Sequence, residues 1–151
     1  MRLRRLISAW MALLALAVGA RVLLAAAPAV MDVTVEQARQ VIQAQGGKPD
    51  FVILDVRTPE EFAKGRLPGA VNLDIQVPHF QSRLAALDRG KTYLVYCRTG
   101  NRSARAIAAM TRLGFQSLYH MAEGILRWEK MGYPLFPPSG TVAGGSHPGG
   151  Y

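Results

Sequence analysis

The single cysteine of the chain, Cys97, opens the segment Cys97-Arg98-Thr99-Gly100-Asn101-Arg102-Ser103. The apolar run Thr92 to Tyr96 before it reads as a strand, and Ser103 to Leu113 after it reads as a helix closed by Gly114. In an open α/β sheet, ligands bind at the carboxyl ends of the strands, where this cysteine falls. Gly100 lets the loop curl so that successive N–H groups point inward as a nest for an anion. The positive end of the following helix adds to that field. Arg98 and Arg102 supply two full positive charges. Together these groups favour a thiolate at Cys97 and hold an anionic substrate beside it. The plainer reading is a buried structural cysteine with solvated arginines. That reading explains neither the glycine nor two arginines within five residues.

Composition limits the alternatives. The chain has 151 residues, enough for one domain and a tail, and half of them are hydrophobic. One cysteine excludes an intramolecular disulfide and any metal site with several thiolates. His79, His120 and His147 are too scattered for a zinc motif, so no metal is expected. The formal charge of +8 suggests nucleic acid. However, Arg2, Arg4, Arg5 and Arg21 carry half of that charge within the first 29 residues, which hold no acid. The remainder is mildly basic and has no basic-aromatic stripe, so no nucleic-acid partner is expected.

The first 29 residues read as an export signal. Arg2, Arg4 and Arg5 form a positive n-region, Leu6 to Ala20 is charge-free, and Ala27-Pro28-Ala29 is an A-x-A cleavage signal that places the mature start at Val30. The alternative is an uncleaved anchor from Leu6 to Ala29 with Arg21 inside it, a charge costing about 2.5–3.5 kcal/mol within a membrane. Both readings send the domain across a membrane, into the periplasm or otherwise out of the cytoplasm. The protein stays on the membrane only if the leader is uncleaved.

These residues need a scaffold, and residues 30–136 read as one α/β domain. Thr34 and Gln37 form a capping box, with Val35, Ala38 and Ile42 on one helical face before Gly46-Gly47. Phe51 to Leu54 is a continuous apolar run, as in a strand covered on both faces. Thr58-Pro59-Glu60-Glu61 is a second capping box with proline at the first helical position. Pro68-Gly69 is a turn, Ala70 to Leu73 a short strand, and Phe80, Leu84 and Leu87 keep helical spacing. Ser117 to His120 reads as a strand and Ile125 to Met131 as a helix. With a short strand at Asp32-Val33, this predicts five parallel strands between helices in a three-layer α/β fold. From Pro137 to Tyr151 the chain is rich in Pro, Gly and Ser and reads as a disordered tail.

With the motifs in view, the sequence resembles the rhodanese family of sulfurtransferases. Cys97 to Ser103 is similar to the family's C-R-x-G-x-R-S loop. Asp55-Val56-Arg57 with Glu61-Phe62 resembles D-V-R-x-x-x-E-F, and Gly65 to Ala70 resembles G-H-I-P-G-A with Arg66 in place of histidine. Gly124-Ile125-Leu126-Arg127-Trp128 and Gly132-Tyr133-Pro134 resemble its last motifs, with Glu123 in place of the first glycine. These motifs run in order over residues 31–136.

The resemblance implies a five-stranded parallel sheet and sulfur transfer without a cofactor. Cys97 would take sulfane sulfur from a small donor such as thiosulfate and pass it from a persulfide to a thiophilic acceptor, cyanide or a thiol, a protein thiol included. Loop amides would stabilise the anion, and Arg98 and Arg102 would orient the sulfonate of the donor. Thr99, Gly100, Asn101 and Ser103 complete the substrate-binding loop.

Other residues keep two readings. Asp55 braces the loop through an arginine or caps the region of Thr58. Arg57 belongs to the cationic rim or pairs with Glu60 or Glu61. Arg66 reads as a solvated loop residue, Trp128 as core, and His120 as a strand-end histidine without a catalytic part. Two other functions are open. A non-catalytic periplasmic persulfide carrier or binding module would need the same loop. A cysteine-dependent phosphatase or arsenate reductase would need one more residue between Cys97 and Arg102.

Overall fold

The computed structural model describes residues 29–137. The leader and tail readings otherwise lie outside the described residues.

Five strands alternate with five helices: β1 Ala29–Val33, α1 Val35–Gln45, β2 Phe51–Asp55, α2 Pro59–Lys64, β3 Ala70–Asn72, α3 Phe80–Ala85, β4 Thr92–Tyr96, α4 Asn101–Arg112, β5 Ser117–Met121 and α5 Gly124–Lys130. The strands form one parallel sheet in the order β1-β5-β4-β2-β3. This is the three-layer α/β arrangement that the alternating pattern predicts.

Local chemistry accounts for the helix starts. Thr34 Oγ1 accepts from the Gln37 amide at 3.3 Å, and Gln37 Oε1 accepts from the Thr34 amide at 2.9 Å. Thr58 and Glu61 close the same reciprocal box at 3.3 and 3.2 Å, with Pro59 at the first helical position. Each box satisfies two amides that the first helical turn leaves unpaired.

The central strands have no polar face because both faces are covered. Tyr93, Val95 and Cys97 join α3 and α4 in one cluster with Leu84, Met110 and Phe115. Leu94 and Tyr96 point the other way, to Ala38, Ile125 and Trp128 of α1 and α5. Each such buried side chain contributes about 1.5–3 kcal/mol relative to its exposed state.

Two bounds differ from the sequence reading. β1 begins at Ala29 rather than Asp32, because it is an edge strand bonded to β5 whose residues before Val33 are exposed. Its backbone pairing leaves no apolar alternation to read. α4 starts at Asn101, two residues before Ser103, with Gly100 as its N-cap.

The topology also creates a crevice. The crossover from β2 leads outward to β3, and the one from β4 leads the opposite way to β5. Neighbouring strands β2 and β4 thus send their C-terminal loops apart, which is the switch point where α/β sheets bind ligands. Asp55 and Tyr96 are register partners there, and the Val56 amide donates to Tyr96 O at 3.0 Å. Cys97 is the next residue after Tyr96.

Candidate active site

Cys97 lies under its own loop, 1% exposed. The Gly100 amide donates to Sγ at 3.1 Å and the Ser103 hydroxyl lies 3.4 Å away. Burial pushes the thiol pKa up. The Ser103 hydroxyl and the amides of Ser103, Thr99 and Gly100 outweigh it, so the thiol titrates below its ordinary range. α4 runs away from the sulfur, so its positive end adds to these donors.

Two glycines permit this geometry. Gly100 has φ of +93°, and a Cβ there would stand 1.9 Å from Ala122 O. Gly124 has φ of +68°, and a Cβ would stand 2.3 Å from Arg98 O. The loop therefore packs backbone to backbone on the turn between β5 and α5. The Ile125 and Leu126 amides donate to Cys97 O at 2.9 Å and Arg98 O at 3.2 Å. Glu123, in place of a glycine, has φ of −81°, which any residue adopts. Its carboxylate accepts from the Val35 amide at 2.9 Å.

The arginines have separate fates. Arg57 donates through Nε and Nη2 to both Asp55 oxygens, the shortest contact being 2.6 Å, and through Nη2 to Gly65 O at 2.7 Å. Its partner is therefore Asp55 rather than Glu60 or Glu61. The reason is local: the turn after β2 folds Arg57 back, and Asp55 Oδ1 also accepts its amide at 2.9 Å. Burial opposes the Arg57 charge, and the Asp55 hydrogen bonds outweigh that penalty. Asp55 is fully buried and braces the adjoining turn, not the cysteine loop.

Arg102 forms a two-pronged pair with Glu61 of α2 at 2.6 and 2.7 Å. The Arg102 hydrogen bond holds the Glu61 pKa down at about 2. Arg98 stays exposed, as do Thr99 and Asn101. A cavity of about 380 Å³ opens beside the loop, with Arg57, Glu61, Lys64, Arg98, Leu126 and Glu129 in its walls. Arg98 is thus the loop residue that faces the cavity. Ser103, read as part of the substrate-binding loop, is fully buried and turned to the sulfur.

Arg66 stacks on Phe62, 4.7 Å from the ring centroid, and exchanges backbone hydrogen bonds with Phe136. Trp128 is core, its Nε1 donating to Pro134 O at 3.1 Å. His120 lies near the end of β5, as expected, and it is also buried and bonded to Ser103 and Asp32, which the sequence reading did not foresee. The signal for this was a histidine alternating with the buried Leu118 on one face of β5.

A parallel sheet with a cysteine cradled by N–H and O–H donors at its switch point defines a class of cysteine-loop α/β domain. The sequence profile of the rhodanese-like domain matches residues 36–131, and the chain belongs to that family. It is 31% identical to a sulfurtransferase of Allochromatium vinosum over 91 residues, covering 60% of this chain and 83% of that one. It is 35% identical over 84 residues to a probable adenylyltransferase/sulfurtransferase, MoeZ, of Mycobacterium tuberculosis, covering 56% of this chain but only 21% of that longer protein. The crystal structure of a rhodanese-related protein from Thermoplasma volcanium superposes with a TM-score of 0.58 at 28% identity, covering 70% of this chain and 97% of that one.

Proposed function

We propose that the protein is a sulfurtransferase whose Cys97 carries sulfane sulfur from a small anionic donor to a thiophilic acceptor. The observation that carries this reading is the donor set around Sγ, the Gly100 amide and the Ser103 hydroxyl, which favours the thiolate. With thiosulfate as donor, the thiolate attacks the outer sulfur. An S–S bond forms to Cys97, the bond to the sulfonate sulfur breaks, and sulfite leaves with the electron pair. Cyanide or a thiolate then attacks the terminal sulfur of the persulfide, and Cys97 leaves as thiolate. Each half exchanges one bond at sulfur, which implies ping-pong kinetics.

The loop amides act on the thiolate and on the persulfide anion without reorganising. In this reading Arg98, the loop's exposed cation on the cavity wall, holds the sulfonate, with Lys64 in the same wall. Arg102 is paired with Glu61, and its charge also acts on Cys97 and favours the thiolate. We also assign residues 1–29 to export, with the mature chain beginning at Val30; N-terminal sequencing of envelope-fraction protein tests that assignment.

Intact-mass measurement after thiosulfate treatment tests the chemistry. Addition of one sulfur atom, removed by cyanide and absent in Cys97→Ser, is the expected result. A folded Cys97→Ser protein with substantial thiosulfate:cyanide activity would overturn the reading.

A further inference from the structure

His120 and Asp32 lie directly opposite each other on β5 and β1. His120 Nδ1 is 2.7 Å from Asp32 Oδ1, and Nε2 is 2.9 Å from Ser103 Oγ. Ser103 Oγ is in turn 3.4 Å from Cys97 Sγ. The Asp32 side chain is 75% exposed, whereas His120, Ser103 and Cys97 are buried. A chain of polar groups therefore runs from solvent, through the sheet edge, to the underside of a buried thiol.

We infer that Asp32, His120 and Ser103 form a proton relay that receives the Cys97 proton, with His120 as a positioning residue acting through Ser103. This rests on the reading of Cys97 as the nucleophile. The Asp32 carboxylate only accepts, so the neutral ring carries its proton on Nδ1 and leaves Nε2 as acceptor. Ser103 donates to Nε2 and the thiol donates to Ser103 Oγ. In the transfer the S–H bond breaks as a new O–H bond forms at Ser103. The original Ser103 O–H bond breaks as an N–H bond forms at Nε2. No electrons change centre: thiol and imidazole become thiolate and imidazolium. The imidazolium then donates to Ser103 Oγ, and Ser103 donates to the thiolate. Gly100 O, 2.9 Å from Ser103 Oγ and 3.3 Å from Nε2, is the competing acceptor for either proton.

Of the charged groups on neighbouring elements, Glu123 accepts from the Val35 amide and meets Arg127. Arg102 of α4 pairs with Glu61 and also acts on Cys97, and all the variants below keep it unchanged. On α1, Glu36 bonds Thr34, and Arg39 stacks on Tyr133. Asp32 is thus the carboxylate bonded to the ring.

The test is the pH dependence of iodoacetamide alkylation of Cys97 in the purified protein, with circular dichroism to confirm folding. His120→Gln should raise the midpoint by about one pH unit, a tenfold slower reaction on its acidic side. Ser103→Ala should raise it at least as far. The double variant should go no further than Ser103→Ala, because the two residues act as one unit. Asp32→Asn, at an exposed edge position, should give a smaller rise and decides the matter if His120→Gln does not fold. Wild-type profiles in the folded variants, or additive shifts in the double variant, would overturn the relay. Sulfur loading is scored separately by mass. Shifted profiles with no sulfur gained from thiosulfate would uphold the relay and sink the sulfurtransferase reading. Sulfur gain with unshifted profiles would do the reverse.

Discussion

Beneath the Cys97 loop, the sulfur meets an amide at 3.1 Å and a hydroxyl at 3.4 Å. On the rim, Arg57 and Arg102 meet carboxylates at 2.6 Å, and Arg98 remains exposed. The groups touching the sulfur from the floor are neutral dipoles, with the His120 ring one step behind Ser103, and the rim uses full charges. Fixed dipoles stabilise an anion in a dry site without carrying a charge of their own into the core. A full guanidinium needs its own counterion once buried, as Arg57 has in Asp55. The contrast teaches that the groups touching the sulfur come from below, and that two of three arginines are held by carboxylates.

The rim pair that is deepest should break hardest. Asp55→Ala leaves Arg57 buried without its partner, which costs about 3–5 kcal/mol. Urea unfolding should show that loss, and Asp55→Ala/Arg57→Met should recover much of it. A single substitution costing under about 1 kcal/mol would show that Arg57 swings out to solvent and that the pair is not a brace.

The floor should break through its backbone. Gly100→Ala places a methyl against Ala122 O at a left-handed φ. The conformation alone costs about 1–2 kcal/mol, and relief of the clash moves the amide away from Sγ. The expected outcome is a lower urea midpoint together with a rise in the alkylation pKa of Cys97. Lost stability with an unchanged alkylation profile would mean that the Gly100 amide does not prepare the thiolate.

How much of this was legible depended on distance along the chain. Both capping boxes and the central strands were readable because their signals lie within a few residues. The cysteine loop was readable as a strand-end nest for the same reason. Arg57 kept two readings, the cationic rim or a pair with Glu60 or Glu61, and neither names Asp55, onto which the turn folds it back. The Asp32–His120 contact spans 88 residues and depends on β1 joining the sheet beside β5. Glu61–Arg102 spans 41 residues across the switch point. No local pattern carries such pairings; they follow from strand order.

Arg98 sharpens the comparison in catalysis. Arg98→Ala removes the exposed cation of the loop itself without unpairing a buried group. Stability should stay within about 0.5 kcal/mol of wild type, as for surface changes generally. The KM for thiosulfate should rise about tenfold, the loss of one charge-assisted hydrogen bond, with kcat less affected. An unchanged KM would remove Arg98 from donor binding.

The smallest effect belongs to the half-exposed rim pair. Glu61→Gln removes the charge facing Arg102 but keeps a side chain that still closes the Thr58 capping box. The side chains of Arg102 and Glu61 are 21% and 27% exposed, so solvent screens the pair and about 1 kcal/mol is the most it contributes. The sign with pH follows from the lowered carboxyl. Glu61 goes from 4.5 to about 2 on folding, so its contribution is complete above 4.5 and is lost as pH falls toward about 2. Urea midpoints measured above and below that window should therefore fall further in wild type than in Glu61→Gln. The two proteins should differ most at neutral pH and converge in acid. If the gap stayed constant across the window, the pair would contribute through packing rather than through charge, and the rim would resemble the floor more closely than its residues suggest.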